Sequence, residues 1–533
     1  MLEADDLDTG YYSNAMEGMR QLGTSKAVSC TAGKVKMEHW LLGIDIGTSG
    51  VKLLLLDSET GRKHSISSTY PTYTPHAGWA QQDPERWWKS ICEVLPALLQ
   101  DAGIQPQEIA AIGVDGVSWT PVCLDAAGQV LCNAPIWYDT RAEEQCVHLR
   151  ECGLEERFYA NNGNPVQPYY TLPKVLWIKK YLPDIFSKTR KILTSNGYIV
   201  YKLTGAFTHD NCQAYGWGFY QLEKDAWDTD LAETLEIDPS LLPQLCGCTQ
   251  IAGTVTPHAA VETGLAVGTP VIAGGLDAAC GALGAGVVTP GSVHEQSGSA
   301  GGMSICLDQY LPAKGLIYSR HVVPELQLLQ GGTVGGGGLA RWLVNVLYPA
   351  NVNSENALDE LTAAAEISPP GANGLIFLPY MAGERSPIWN PEAKGVFFGL
   401  DYSKTRGDMA RAVLEGAAYA LRHNLETAGS ALPEESLLRA VGGAARSSLW
   451  MQIKADVTGH PICAVSDGEA TGLGCAMLAG AGCGLYPNLK DAVKELVSQD
   501  PAYVPDARNK MVYDERYASY HELYLHLEGM MHS

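Results

Sequence analysis

Apolar residues along this chain come in short runs closed by glycine-rich turns. Trp40-Leu41-Leu42-Gly43-Ile44 leads into Asp45, Gly47-Thr48-Ser49-Gly50 interrupts it, and Val51 to Asp57 resumes the apolar character. The pattern predicts strand, turn, strand over Leu41–Ile46 and Val51–Asp57. The leucine run alone suits a helix equally well; the closely flanking Gly and Asp residues decide for strand. Ser65 to Tyr73 continues extended. Trp87 to Leu99 reads as a helix, with Asp83-Pro84 as its cap and first turn. Ile109–Val114 and Pro121–Leu124 give two more strands, and this alternation of strands with helices predicts α/β layers.

A second unit begins near Val287. Gly291 to Ile305 repeats the strand, small-residue turn, strand arrangement around Ser297-Gly298-Ser299-Ala300-Gly301-Gly302. Met409 to Leu425 carries an apolar stripe at helical spacing, Leu437–Val441 is a strand ending in Gly442-Gly443, and Thr471–Ala481 is a helix of small residues suited to very close packing. Two similar halves suggest an ancient duplication, with a cleft between lobes spanning residues 37–286 and 287–533. Residues 1–36 lack sustained periodicity and an apolar signal core, so they are expected to be an unstructured N-terminal extension, with Met37 as the natural start.

The length of 533 residues fits two or more domains, and 46% hydrophobic against 18% charged residues is a globular balance. A formal charge of −22 without a basic patch argues against nucleic-acid and anionic-membrane partners. No apolar run approaches the ~20 residues that span a bilayer. The chain is therefore read as a soluble, cytoplasmic protein. Its 14 cysteines contain no C-x-x-C pair, and Cys246-Gly247-Cys248 is too tight for a zinc knuckle, so free thiols in a reducing compartment are expected. His521 and His526, five apart on a helix, point to different faces.

Candidate chemistry begins at the first turn. A tight turn without bulky side chains lets backbone N–H groups converge on phosphate oxygens, with Thr48 and Ser49 as hydroxyl donors beside Gly47. Asp45 at the strand end suits Mg²⁺, a hard ion that prefers oxygen ligands. The competing reading is a plain hairpin turn. A dinucleotide fold is disfavoured, because G-x-G-x-x-G is absent and a strand follows the turn. Gly298 and Ser299 repeat the turn in the second half, and the run Gly331–Gly338, including Gly337, brings backbone close to a ligand or forms a flexible loop. Asp277 lies at a strand end before a small-residue helix, placed either to cap it or to accept a proton from a substrate hydroxyl. Asp115, Asp139 and Asp467 carry the same ambiguity.

Several segments, in order from about Leu41 to the end region, resemble one family. They are Asp45-Ile-Gly-Thr-Ser-Gly-Val-Lys52, Gly78-Trp-Ala-Gln-Gln-Asp-Pro-Glu-Arg-Trp-Trp88, Trp137-Tyr-Asp-Thr-Arg141, Phe377-Leu-Pro-Tyr-Met-Ala-Gly-Glu-Arg-Ser-Pro387, Gly395-Val-Phe-Phe-Gly-Leu400 and Val441-Gly-Gly-Ala-Ala-Arg-Ser447. Together they resemble the FGGY carbohydrate kinases, most of all the branch that phosphorylates xylulose. The resemblance implies two ribonuclease-H-like lobes of the actin and sugar-kinase superfamily, closing over MgATP and an open-chain ketose or polyol. It implies Asp277 as general base, Asp45 as the Mg²⁺-associated carboxylate, and Gly47, Thr48, Gly298 and Ser299 as phosphate neighbours; Ser49 and Gly337, read from the glycine turns themselves, join them as ATP-binding candidates. Gly442, Gly443 and Ser447 would lie along adenosine, and Ser118, Trp119 and Asp139 would join Asp277 at the substrate. The small-molecule partners are then a sugar and ATP; a homodimer is allowed for, and nothing in the sequence specifies it.

Two departures stand out. Where the family's xylulose branch commonly carries Met-His facing the sugar, this chain has Val117-Ser118-Trp119, replacing a switchable imidazole by a flat ring and an indole N–H. The second hairpin has Gly298-Ser-Ala where Gly-Thr-Ser is usual, which removes one hydroxyl. The expected reaction is ATP-dependent phosphorylation of D-xylulose to D-xylulose 5-phosphate. The alternatives are a kinase for ribulose, another ketose or a glycerol-like polyol, a non-catalytic sugar- or nucleotide-binding regulator, and an actin-like ATPase. Intact Asp45 and Asp277 speak against the regulator, and the Gly-Glu-Arg-Ser-Pro segment against the ATPase.

Overall fold

β1 (Trp40–Ile46) and β2 (Gly50–Asp57) form the hairpin that the glycine turn predicts, with Ile46 opposite Val51 and Asp45 opposite Lys52. A computed structural model describes residues 39–298, 300–347, 357–465 and 469–531. The expected extension over residues 1–36 lies outside them, as do Ser299 and Asp467. β3 (Lys63–Thr69) continues the meander as an edge strand whose residues alternate between partly covered and exposed. β4 (Ile109–Gly116) then pairs parallel with β1 on its other side. β5 (Ile251–Thr254), β6 (Pro270–Ile272) and β7 (Gly275–Leu276) complete seven strands in the order β5-β6-β4-β1-β2-β3, with β7 beside β4. β1 and β4 are buried on both faces, which is why they read as near-continuous apolar runs.

The second half builds a similar hairpin-centred sheet. β8 (Val293–Ser297) and β9 (Gly301–Leu307) form the repeated hairpin, and β10 (Ile317–Arg320) and β11 (Gln327–Thr333) extend it antiparallel. β12 (Leu438–Val441) lies parallel to β8 and β13 (Ile462–Ala464) parallel to β12, giving β10-β11-β9-β8-β12-β13. In each sheet the hairpin is extended antiparallel on one side and by parallel strands on the other; the first sheet ends in the antiparallel edge strand β5, and the second places β10 outside β11. The shared part of that topology matches the duplication inferred from the two glycine turns.

The helices follow their sequence signals. α1 (Pro84–Ala102) starts with the Asp83 side chain accepting the Glu85 N–H. α2 (Asp277–Gly284) and α3 (Gly337–Leu347) follow β7 and the glycine run. α4 (Arg406–Thr427) opens with a capping box between Thr405 and Asp408. α5 (Ser448–Thr458) leads to α6 (Ala470–Gly482), and α7 (Ala507–Met531) ends the described chain.

α6 is the element whose small residues matter most. A Cβ on Gly474 would stand 1.9 Å from the Cys280 carbonyl oxygen in α2, and one on Gly43 of β1 would stand 2.5 Å from the Gly472 carbonyl oxygen. α6 therefore packs backbone to backbone on α2 and on the first sheet, although it lies beyond Val287 in the chain. Among the described residues no helix is long and apolar enough to cross a membrane.

Candidate active site

The registers of the first sheet bring three carboxylates together. β1 and β4 run parallel with Asp45 level with Asp115, and β7 pairs Gly275 with Asp115, so the next residue but one, Asp277, opens α2 beside them. Asp115 is fully buried and neither of its carboxylate oxygens has a hydrogen-bond partner. Burial, with the charges of Asp45 and Asp277 adding to it, pushes its pKa well above the usual carboxylate range. Burial also raises Asp45, while the neighbouring Asp115 carboxyl and then the facing Lys52 hold it down in part. Asp277 rises to about 7, through burial and then the Asp45 charge, against the pull of the Ala278 N–H, the Ser118 hydroxyl and the Arg385 cation. The Ala278 N–H donates to Asp277 Oδ1 at 2.7 Å, and Leu276, not Asp277, occupies the helix cap position. The unpartnered Asp115 oxygens beside Asp45 are donors of the kind a hard dication prefers, although the three carboxylates do not all close to within 4.8 Å of one another. Mg²⁺, which the kinase resemblance implies, fits these residues.

Asp277 faces a cavity of 210 Å³ that Thr48, Ser118, Trp119, Trp137 and Arg385 also line, while Gly301 and Gly331 of the second sheet close the other side. Its walls carry buried donors without partners: Trp119 Nε1, the Tyr215 hydroxyl and Arg385 Nε. Unpaired buried donors cost free energy unless a polar ligand meets them, and a polyhydroxyl molecule supplies acceptors in that density. Trp119 takes a left-handed backbone conformation (φ 52°) and packs edge-on against Tyr170 and Tyr215 with centroids 4.9 and 5.9 Å away. It is core and cavity wall at once. Trp137 Nε1 donates to Thr48 Oγ1 at 2.9 Å, and its ring carries the Arg385 guanidinium 4.6 Å from the centroid.

A larger cavity of 650 Å³ opens along the second hairpin, lined by Gly298, Gly337, Gly443 and Ser447 with the exposed cations Arg341 and Arg446. The Gly337 N–H donates to the Gly298 carbonyl at 2.7 Å, which seats the glycine run on the hairpin turn. Gly442 has φ 99°, and a Cβ there would stand 2.6 Å from the Ser297 carbonyl oxygen, so only glycine lets β12 meet this turn. The Ser447 hydroxyl accepts the Trp450 N–H at 3.3 Å, capping α5 at the cavity edge.

The family can now be read from the whole chain. The N-terminal domain of the FGGY family of carbohydrate kinases matches residues 40–284, and its C-terminal domain matches residues 305–483. The chain belongs to the FGGY family of carbohydrate kinases. It is 31% identical over 496 residues to the xylulose kinase of Escherichia coli, covering 92% of this chain and 99% of that one. It is 30% identical over 489 residues to the gluconokinase of Bacillus subtilis, covering 88% and 92%. The crystal structure of xylulose kinase from Rhodospirillum rubrum superposes with a TM-score of 0.83 at 32% identity, covering 93% and 100%. This FGGY kinase is thus an ATP-dependent sugar kinase of two ribonuclease-H-like lobes.

Several expected site residues of the kinase stand elsewhere than the motifs imply. Asp139 does not line the cavity: it is fully buried, its Oδ2 accepts the Ala80 N–H at 2.6 Å, and Arg141 clasps both oxygens. Its carboxylate holds two segments of backbone together. The Gly47 N–H is taken by the Gly50 carbonyl at 3.0 Å, so it offers nothing to a phosphate, and Ser49 is exposed on the turn. Thr48 alone of that turn reaches the Asp277 cavity. Arg385 was not singled out from the sequence, and Asp115 only as one of several carboxylates left between a capping and a catalytic role. The signal for Arg385 lay inside the Gly-Glu-Arg-Ser-Pro segment; Asp115 carried none beyond its place at a strand end.

Proposed function

We propose that this FGGY kinase transfers the γ-phosphoryl group of ATP to a hydroxyl of an open-chain ketose, D-xylulose before others, giving D-xylulose 5-phosphate and ADP. The observation that carries the reading is Asp277, a carboxylate poised near neutrality, in a cavity whose unpaired donors await a polyol. The likeness to proteins named xylulose kinases supports the sugar; the gluconokinase relative supports the runner-up, another polyol or sugar acid. Residues 37–286 are assigned the sugar and phosphate and residues 287–533 the nucleotide, with Arg385 of the second span reaching into the sugar cavity. The free-thiol state of the described cysteines suits a reducing cytoplasm.

Phosphoryl transfer asks for in-line positioning and charge neutralisation more than covalent help. Asp277 takes the proton of the attacking hydroxyl as the oxygen–phosphorus bond forms. Trp119, Tyr215 and Arg385 orient the sugar, with Ser118 alongside. Gly298, Gly337, Gly442 and Gly443 leave room for the nucleotide backbone, Ser447 edges the adenosine, and Arg341 and Arg446 meet its charge. Mg²⁺, held by Asp45 with Asp115 beside it, would supply neutralisation of the developing phosphate charge. Closure of the two lobes excludes water that would otherwise accept the phosphoryl group.

The base must be ionised to act, and its folded pKa is raised, so activity is lost as pH falls through that value. We expect kcat/KM for the sugar to fall on the acid side of a limb at or below about 7 and above the ordinary carboxylate range. A flat profile down to pH 5 removes Asp277 from the role. The deciding assay for the substrate is ATP consumption across ketoses, aldoses, polyols and sugar acids. D-xylulose turned over well above the rest supports the reading; preference for another sugar keeps the mechanism and assigns the change to Ser118 and Trp119. Bound ATP without sugar-stimulated turnover overturns it.

A further inference from the structure

We infer that Asp210, Cys212 and Cys248 form a binding site for one soft divalent cation of the zinc class, apart from the phosphoryl-transfer centre. Two short strands, Thr208–Asp210 and Gln244–Cys246, run parallel with Asp210 level with Cys246. Both leave at the same end, so the residues two further on, Cys212 and Cys248, arrive together. The carboxylate of Asp210 and the two sulfurs are all buried and lie within 4.8 Å of one another. Among the described residues no other group of three such donors meets that distance. Donors around a tetrahedral zinc stand roughly 3.3–3.8 Å apart, given bond lengths of about 2.0–2.3 Å. The present spacing reaches that with sub-ångström shifts.

The surroundings are those of a ligand set. Asp210 Oδ2 accepts from Asn196 Nδ2 at 3.0 Å and Gln213 Nε2 at 2.8 Å, fixing the carboxylate from behind. Oδ1 accepts the Gln213 N–H at 3.1 Å and the Cys212 thiol at 2.8 Å, and that thiol proton is the one a metal displaces. Cys212 Sγ in turn accepts the Leu276 N–H at 3.1 Å, an N–H···S bond that favours a thiolate. Cys248 Sγ contacts Asn211 Oδ1 at 3.7 Å, which leaves an amide oxygen or a water as fourth ligand. Asn211 and Gly247 are half-buried, so entry is short. On binding, two S–H bonds break, two sulfur–metal bonds form and two protons pass to solvent. Exchanging two protons for one dication leaves the net charge of the buried cluster unchanged, so the site avoids the penalty of adding charge to the interior.

The sequence hides this arrangement. Cys246-Gly247-Cys248 offers the wrong pair, since Cys246 stays in its strand while Cys248 turns to meet a cysteine 36 positions earlier. The test titrates the metal-stripped full chain with Cd²⁺, whose thiolate complexes absorb in the near ultraviolet, and with Zn²⁺ followed by native mass spectrometry. The work is done in a Cys152→Ser background, because exposed Cys152 lies within 4.0 Å of His148 and offers a competing surface pair. One ion per chain is expected, with the band reduced and affinity lowered about 100-fold by either Cys212→Ser or Cys248→Ser, and about 10-fold by Asp210→Asn with the band retained. Melting curves taken alongside confirm that each variant is folded; Cys248→Ser, whose sulfur makes one weak hydrogen bond outside the cluster, remains informative if Cys212→Ser fails. No stoichiometric ion, or a full band in folded Cys248→Ser, overturns the site.

Discussion

Asn in place of Asp277 is expected to lower turnover by roughly 10²–10⁴ while ATP binding stays within a few-fold of the parent, because the substitution keeps shape and removes only the proton acceptor. The size follows from where the residue sits. Burial, and after it the Asp45 charge, raise the Asp277 carboxyl to about 7 against the pull of Arg385, so it can take a hydroxyl proton without being a permanently weak base. The groups proposed to meet the nucleotide line the other cavity, with Gly298 and Gly443, so the loss should appear in kcat and not in the affinity for ATP. The check is steady-state turnover beside direct calorimetric titration with ATP. Turnover within a few-fold of the parent assigns the proton to another group; loss of ATP binding makes Asp277 a structural residue.

Position alone left Asp277, at the junction of a strand and a small-residue helix, between a helix cap and a proton acceptor; the family resemblance singled it out as the base. The hairpins were legible because a turn of Gly, Ser and Thr between apolar runs admits little else, and β1, β2, β8 and β9 fall where those runs predict. Asp115 was not, because its meaning depends on a register linking β1, β4 and β7, strands far apart in the chain. Trp137-Tyr-Asp-Thr-Arg141 misled for the opposite reason. It is a strong local pattern, but Arg141 folds back on Asp139 two residues away, and a spacing of two says nothing about which carboxylate faces the ligand. Sequence carries the strand ends; pairing decides which strand ends meet.

Removing Lys454 is expected to cost roughly 3–5 kcal/mol of stability, the toll of leaving a buried carboxylate uncompensated. Lys454 Nζ lies 2.8 Å from Glu295 Oε1, with both side chains almost fully buried, and it also donates to Ser297 Oγ at 2.8 Å. Glu295 sits on β8 three residues before Gly298, and Lys454 on α5, so this pair ties the second hairpin to the helix that Ser447 caps. In Lys454→Met the Glu295 carboxylate keeps its desolvation cost and loses its cation, and its Oε2 already has no partner. The double variant Lys454→Met with Glu295→Leu should recover most of the loss, since a well-packed apolar pair replaces two desolvated charges. The measurement is thermal melting of all three variants with and without ATP. A single variant as stable as the parent, or a double variant worse than the single, would show that the pair's charge is not what holds the hairpin. If the pair does hold it, Lys454→Met also weakens ATP binding, because the turn that carries Gly298 is no longer fixed.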